Sequence, residues 1–111
     1  GADLKGIVGF HTALPMEPAI TKGSIKAAVL IINGSEDGFL KSETVAAFSE
    51  DMFKANVDFT YMNLKGVKHS YTNPQADEFA KKFNIAALQY NKKADEQAWA
   101  AMLSFFKRIF S

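Results

Sequence analysis

The sequence predicts a parallel α/β fold, on two observations. First, the segment Ala27–Ile32 is apolar without a break. A strand in which apolar and polar residues do not alternate is typical of a parallel sheet covered on both faces. Second, this strand is followed by a helical pattern and then by another strand, which is the order of a βαβ unit. With 111 residues, 48% hydrophobic and 23% charged, the chain has the size and composition of one small globular domain.

Local patterns assign the elements of the first half of the chain. The short apolar segment Leu4–Phe10 predicts a buried strand, and His11–Ser24 predicts a long loop because it contains two prolines and no clean period. Asn33–Gly38 predicts a turn that begins and ends near a glycine. Ser42–Ala55 predicts a helix with Ser42 as its N-cap. The apolar face of that helix carries Val45, Phe48, Met52 and Ala55.

The second half of the chain is assigned in the same way. Asp58–Leu64 predicts a strand of mixed burial, Gly66–Pro74 an irregular segment, and Asp77–Tyr90 a weak helix followed by a loop. Ala94–Phe110 predicts a closing amphipathic helix, and we expect its aromatic face to cover the sheet. That face carries Trp99, Met102, Leu103, Phe106 and Phe110. About three strands are few for such a sheet, so the organisation is typical of one end of a larger sheet.

Charge and cysteine content exclude several classes of function. There are 13 basic and 12 acidic residues, a formal net charge of +1, which favours neither nucleic acid nor an anionic membrane as a partner. The longest apolar run, Ala27–Ile32, is too short to span a bilayer. No cysteine is present, so this chain holds no disulfide, thiolate metal site or cysteine nucleophile. We expect a cytoplasmic protein.

Three residues with acid–base chemistry follow the three predicted strands. His11 comes after the first strand, Asp37 after the second and His69 after the third. An acid in a glycine-rich turn is more often a turn former, and a lone loop histidine more often a surface residue, than a catalyst. Reactive residues of open α/β sheets nevertheless sit at the carboxyl ends of the strands. The order and placement of the three residues together therefore indicate a site.

Asp37 and His69 fit two positions of a hydrolase triad. In the α/β-hydrolase arrangement the nucleophile comes first along the chain, then the acid, then the histidine. His69 is the candidate general base, which takes the proton of the nucleophile and returns it to the leaving group. Asp37 is the candidate acid, which orients the imidazole and stabilises the imidazolium. His11 and Tyr71 are weaker candidates for residues that line the substrate pocket.

Four stretches of the sequence resemble one family. Ala28–Asp37 is similar to a strand that ends in His-Gly-x-x-Asp, and Gly66–Pro74 is similar to a catalytic histidine loop. Tyr90–Phe106 resembles the closing segment of the same family, and Leu4–Pro15 its strand after the nucleophile-bearing helix. Together they resemble the C-terminal half of the dienelactone hydrolase family of α/β-hydrolases, over nearly all 111 residues.

The resemblance implies a partial α/β-hydrolase fold, with about three parallel strands and flanking helices. Residues 1–111 would form the C-terminal portion of a single domain. The implied activity is hydrolysis of a small-molecule ester or lactone by a Cys/Ser-His-Asp triad, without metal or organic cofactor. In this family the nucleophile lies upstream, in a Gly-x-Cys/Ser-x-Gly elbow. Here Gly34–Gly38 is only a superficial match to that elbow, so we expect the chain to be inactive alone.

Three departures from the family bear on the substrate and the turn. Dienelactone-cleaving members typically carry an arginine shortly after the catalytic histidine, whereas Ser70–Pro74 contains none. Dienelactone itself is therefore not the expected substrate. Asn33 also stands where the family often has histidine, and Gly38 where it often has proline.

Two other functions remain open at this point. The chain could be a non-catalytic half-domain that self-associates or binds a partner, because Leu4–Phe10 would be an open apolar edge strand. We expect a homodimer or another pairing through that edge. Alternatively, His11, His69 and Asp37 are residue types that bind iron or zinc. The sequence contains no His-x-His or Glu-x-x-His spacing, so the metal site is the weakest of these interpretations.

Overall fold

The computed structural model describes residues 3–14 and 21–111. Residues 15–20, the middle of the predicted loop, lie outside the described part. The elements, in chain order, are the strands and helices β1 (Gly6–Phe10), β2 (Ala28–Gly34), α1 (Ser42–Lys54), β3 (Phe59–Leu64), α2 (Ala76–Lys82) and α3 (Lys92–Phe110). No helix among the described residues is both long and apolar enough to cross a bilayer.

The described strands form one parallel sheet in the order β1-β2-β3. Gly6 lies opposite Ala28, and Val29 lies opposite Phe59. Every residue of β2 is buried, since it has a strand on each side and a helix on each face. The predicted parallel α/β fold is therefore confirmed, and the unbroken apolar run belongs to the central strand, as expected for a strand covered on both faces.

Alternate side chains of β2 face two separate apolar clusters. Ala28, Leu30 and Ile32 pack on the α3 side, together with Phe105 of that helix. On the opposite side, Val29 and Ile31 pack against helix α1. The predicted apolar face of α1 is confirmed, because this second cluster includes Val45, Phe48, Met52 and Ala55. The period of two along the strand sends its side chains alternately to the two clusters.

Two predicted boundaries need correction. Helix α1 begins at Ser42, but the N-cap residue is Lys41, whose extended backbone precedes the helix and whose side chain makes no capping hydrogen bond. Ser42 is therefore the first helical residue and not the cap. The first strand is shorter than predicted, Gly6–Phe10, and is only partly buried. Among the described residues β1 has a neighbour on one side only, which is why its burial is incomplete.

The buried face of α3 also differs from the prediction. Helix α3 begins earlier than expected, at Lys92, and the Asn91 side chain caps it by accepting a hydrogen bond from the Ala94 N–H at 3.0 Å. The residues buried against the sheet are Ala94, Ala98 and Phe105. Trp99, Leu103 and Phe110, which were expected to cover the sheet, are 50%, 63% and 63% exposed. Small alanine side chains let the helix approach the sheet closely. Of the predicted face, Phe106 is partly buried and does pack against the cluster on this side of the sheet, whereas the three exposed side chains lie on the outer flank.

A close approach at the end of β2 requires glycine. A Cβ at Gly34 would collide with the backbone carbonyl of Val67, in the segment that leads to His69. We therefore expect Gly34→Ala to lower the free energy of unfolding by about 1–3 kcal/mol, the usual effect of overpacking. Urea denaturation measures the change. The matched control is Gly38→Ala, whose Cβ would make an ordinary contact with Ala87. Equal stability of the two variants would contradict the argument.

Candidate active site

Asp37 and His69 lie side by side at the carboxyl end of the sheet. Asp37 Oδ2 is 2.8 Å from His69 Nδ1, and the side chains are 2% and 25% exposed respectively. They are separated by 32 residues in sequence. The two turns meet because β2 and β3 are parallel neighbours, whose carboxyl ends lie at the same edge of the sheet. A carboxylate and an imidazole in this contact form an acid–base couple.

The turn after β2 holds the Asp37 carboxylate from both sides. While Oδ2 contacts His69, Oδ1 accepts a hydrogen bond from the Phe39 N–H at 2.9 Å. The Asp37 N–H donates to the Gly34 carbonyl at 3.3 Å, and the Leu40 N–H donates to the Asp37 carbonyl at 3.1 Å. A buried carboxylate is tolerated only when its oxygens are hydrogen-bonded. The turn and His69 together therefore provide partners for both oxygens of the acid and restrict it to one orientation.

The backbone around His69 is held by the segment that precedes α3. The His69 N–H donates to the Ala87 carbonyl at 3.2 Å, and its carbonyl accepts from the Gln89 N–H at 3.1 Å. The acid turn is tied to the same loop, since the Glu36 N–H donates to the Val67 carbonyl at 3.0 Å. Ser70, the next residue, has a φ of 61°, a conformation that is uncommon for residues with a side chain. The loop that carries the imidazole is thus held by backbone contacts to two other segments, residues 87–89 and the acid turn.

The geometry leaves one nitrogen of His69 available. Because Nδ1 faces the Asp37 carboxylate, it is the nitrogen expected to carry the proton, which leaves Nε2 with its lone pair. Among residues 3–14 and 21–111, no group hydrogen-bonds to Nε2. The ring can therefore accept a proton at Nε2 while Asp37 stabilises the charge that results.

His11 lies next to the couple. Its ring centroid is 5.2 Å from that of His69, in an edge-to-face arrangement, and its Nε2 is hydrogen-bonded to Thr72 Oγ1 at 2.8 Å. The His11 N–H extends the ladder by donating to the Ile32 carbonyl at 3.1 Å. Burial, and next the neighbouring His69, lower the pKa of His11 below its ordinary value. His11 therefore contributes a neutral ring beside His69 near neutral pH.

Tyr71, expected to line a substrate pocket, is instead fully buried. Its hydroxyl donates a 2.6 Å hydrogen bond to the Ile32 carbonyl of β2. Burial raises the pKa of this hydroxyl well above its ordinary value. The expectation for Tyr71 is corrected accordingly: it leaves no surface for a substrate, and it fixes the histidine loop to the central strand.

Two residues near the couple were not predicted as site residues. Asn33 is fully buried, and its side-chain amide makes two hydrogen bonds to the backbone of Thr12, both at 3.0 Å. A polar residue at the end of an apolar strand is the signal that could have found it. Phe39 lies 4.9 Å from His69 between ring centroids, and its ring is exposed. An apolar residue inside a polar turn is the corresponding signal.

The structure gives no support to the metal interpretation. Within the described residues there is no group of three or more histidine, aspartate or glutamate side chains arranged to hold a metal ion. The contacts of His11, His69 and Asp37 are instead to one another and to Thr72, as hydrogen-bonded and packed rings.

A parallel α/β sheet with an acid–histidine couple at its carboxyl edge is consistent with the comparison to family models. Residues 1–110 match the model described as "Dienelactone hydrolase family". The chain belongs to the dienelactone hydrolase family. The resemblance inferred from the four sequence stretches is therefore confirmed.

Solved structures agree with this membership. The chain superposes on "Dienelactone Hydrolase-like Promiscuous Phospotriesterase P91 from Metagenomic Libraries" with a TM-score of 0.87 and 31% identity, over 97% of this chain and 44% of P91. It superposes on "m3DLH" with a TM-score of 0.88 and 31% identity, over 99% of this chain and 44% of that one. A dienelactone hydrolase-like protein of Klebsiella pneumoniae, at 19% identity and a TM-score of 0.69, shares the fold.

A relative matched by sequence is also longer than this chain. The uncharacterized protein K02A2.1 of Caenorhabditis elegans is 27% identical over 109 residues, which cover 97% of this chain and 66% of that protein. The chain thus spans just under two thirds of this relative and under half of each of the three solved structures above.

Loss of the Asn33 amide should destabilise the segment that carries His11. In Asn33→Ala the Thr12 N–H and carbonyl lose their partner, and we expect the free energy of unfolding to fall by about 2–3 kcal/mol. Denaturant titration provides the measurement. The matched control is Asn63→Ala, since Asn63 lies opposite Asn33 in β3 but is exposed. A loss in the control as large as that in Asn33→Ala would contradict this assignment.

His11 should make stability depend on pH. Because its folded-state pKa lies below the ordinary 6.5, the unfolded chain binds the proton first as pH falls. The contribution of His11 to the free energy of unfolding is fully present above pH 6.5, and it is lost as pH falls through the lower folded-state pKa. We expect His11→Asn, which tolerates the φ of 38° at this position, to show a shallower loss of stability on acidification.

Two measurements check the His11 prediction. An NMR titration of the ring should give a midpoint below 6.5, and denaturation at about pH 7.5 and about pH 5 gives the pH dependence of stability. A midpoint at or above the ordinary value, or identical pH dependence in the variant, would show the prediction to be wrong.

Proposed function

We propose that this chain supplies the acid and the base of a hydrolase triad that cleaves small-molecule esters or lactones. The observation that carries the proposal is the 2.8 Å contact between Asp37 Oδ2 and His69 Nδ1, with Nε2 left available. Membership of the dienelactone hydrolase family supports hydrolysis as the type of reaction. The nucleophile comes from a segment outside residues 1–111, because this sequence has no cysteine and no serine in a Gly-x-Ser-x-Gly elbow.

His69 and Asp37 would handle one proton in each half of the reaction. His69 Nε2 takes the proton of the nucleophile as the nucleophile attacks the ester carbonyl carbon, and Asp37 stabilises the imidazolium. The tetrahedral adduct then collapses, the bond to the leaving oxygen breaks, and His69 gives its proton to that oxygen. In the second half His69 accepts a proton from water as water attacks the acyl-enzyme, and then returns it to the nucleophile. The couple ends in its starting state.

The surroundings of His69 favour a neutral substrate with an apolar group. The five residues that follow His69, residues 70–74, contain no cation that could pair with a substrate carboxylate. Lys68 Nζ is turned to the Ala86 carbonyl at 3.2 Å, and His11 has a lowered pKa. The exposed ring of Phe39 offers apolar surface directly beside the imidazole. These features support an uncharged ester or lactone in preference to dienelactone, which carries a carboxylate.

A phosphotriester is a second substrate class to assay. P91 is described as a promiscuous phosphotriesterase and shares 31% identity with this chain. The same base would serve attack at phosphorus, because a phosphotriester is also neutral and also needs proton transfer between nucleophile and leaving group.

The isolated chain should be inactive, and the completed site should depend on the couple. We expect residues 1–111 alone to give no His69-dependent turnover of p-nitrophenyl acetate. In a fusion with the part of P91 outside the alignment, His69→Gln and Asp37→Asn should each lower kcat by about 10⁴-fold. Initial rates with the ester, and with a neutral phosphotriester, measure this.

The control variant for this assay is Asp58→Asn. Asp58 forms an exposed ion pair with Arg108 at 3.0 Å, so its loss should leave kcat unchanged. Turnover by the isolated chain that disappears in His69→Gln would overturn the assignment of the nucleophile to another segment. Turnover by the fusion that persists in both Asp37→Asn and His69→Gln would overturn the role of the couple.

A further inference from the structure

The contact with Asp37 fixes only one atom of the His69 ring. A single hydrogen bond at Nδ1 leaves an imidazole free to pivot about that contact, and such a pivot changes the direction in which Nε2 points. A general base must lie within hydrogen-bond reach of the proton that it takes. The plane of the ring therefore needs further contacts. Two aromatic rings provide them: Phe39, with centroids 4.9 Å apart, and His11, with centroids 5.2 Å apart.

Of these two rings, His11 is the anchored one. The ring of Phe39 is exposed, whereas His11 is partly buried and is held at three points. Its N–H donates to the Ile32 carbonyl at 3.1 Å, its Nε2 is hydrogen-bonded to Thr72 Oγ1 at 2.8 Å, and its ring packs edge-to-face on Tyr71 with centroids 5.4 Å apart. A side chain held by packing and hydrogen bonds keeps its own orientation, so it can restrict the ring beside it.

The partner of His11 lies on the loop that carries the catalytic histidine. Thr72 follows His69 by three positions, and its bond to His11 joins residues 61 positions apart. A hydroxyl can donate or accept, so Thr72 can pair with Nε2 in either tautomer of a neutral His11 ring. We propose that His11, held by Thr72, is a positioning residue that fixes the plane of the His69 imidazole and so aims Nε2.

A neutral ring is suited to this role. His69 becomes an imidazolium during the proposed reaction, and a second positive charge beside it would oppose that step. Burial, and next the neighbouring His69, lower the pKa of His11, whereas the more weakly acting Asp37 raises it. His11 thus stays uncharged near neutral pH. Because its Nε2 is engaged by Thr72, we assign His11 to holding His69 and not to hydrogen-bonding a substrate.

The geometry can be tested in the isolated chain, whereas the effect on turnover rests on the proposed function. The chain has only two histidines, so its imidazole signals are few and readily assigned. Nitrogen NMR at about pH 8, where an ordinary histidine is neutral, reports which ring nitrogen carries the proton. For His69 we expect the proton on Nδ1, facing Asp37 and protected from exchange with water.

Two variants remove the proposed support of the ring. Thr72→Val removes the hydroxyl, and His11→Asn removes the ring while tolerating the φ of 38°. In both we expect the Nδ1 proton of His69 to exchange at least about 10-fold faster. Thr72→Ser keeps the hydroxyl and should restore the slow exchange.

The matched control is Thr60→Val. Thr60 is exposed near the start of β3, at the opposite end of the strand from the site, so exchange of the His69 proton should not change. Circular dichroism shows whether each variant folds. Where His11→Asn does not fold, the comparison of Thr72→Val with Thr72→Ser decides the proposal.

Kinetics of the fusion with the part of P91 outside the alignment distinguish positioning from substrate binding. We expect Thr72→Val and His11→Asn to lower kcat for p-nitrophenyl acetate by about 10-fold to 100-fold with KM nearly unchanged, because only the aim of the base is altered. A raised KM with unchanged kcat would overturn the proposal, since it would show that His11 contacts the substrate instead.

The two sets of measurements also separate this proposal from the proposed function. Unchanged exchange of the His69 proton in both Thr72→Val and His11→Asn overturns the positioning role, and so does an equally large effect in Thr60→Val. If the expected exchange is seen but the fusion shows no His69-dependent hydrolysis, the positioning of the ring stands and the proposed function is removed.

Discussion

The site depends on a buried carboxylate whose two oxygens both need hydrogen-bond partners. Asp37 is 5% exposed, and a charge at that depth is tolerated only with partners for both oxygens. The Phe39 N–H and the His69 ring are those partners. Because one partner belongs to the turn itself and the other to a loop 32 residues away, satisfying the carboxylate also brings the two loops together. The acid is thus both the orienting group of the couple and the contact that closes this end of the sheet.

The other contacts of the site converge on the last residues of β2. The Ile32 carbonyl accepts hydrogen bonds from the Tyr71 hydroxyl and from the His11 N–H, and Asn33 clamps the backbone of Thr12. Gly34 then lets the Val67 carbonyl approach the strand. The central strand therefore fixes the positions of three loops at once. These contacts explain how a small sheet holds two histidines and an acid in a defined relation.

Sequence patterns predicted the features that depend on local periodicity and on the position of strand ends: the parallel sheet and the acid–histidine pair. The unbroken run in β2 determined the parallel sheet, and the rule that reactive side chains follow strand ends singled out Asp37 and His69 together. The sequence did not predict that Tyr71 is buried, because its position depends on a hydrogen bond to a strand far away in sequence. Asn33 was noted only as a departure from a family pattern, and its role depends on the path of a loop that no local signal encodes.

The error in α3 has a physical reason that bears on the whole molecule. Helix α3 carries apolar residues on two sides, so a single amphipathic face cannot be read from its period. The sequence predicts the larger side chains as the inner face, but Ala94 and Ala98 lie there beside Phe105, because close packing on a sheet favours small residues. Strand β1 shows the limit of such a reading as well: its composition is apolar, but its residues are only partly buried because β1 pairs with β2 alone in the described part of the chain.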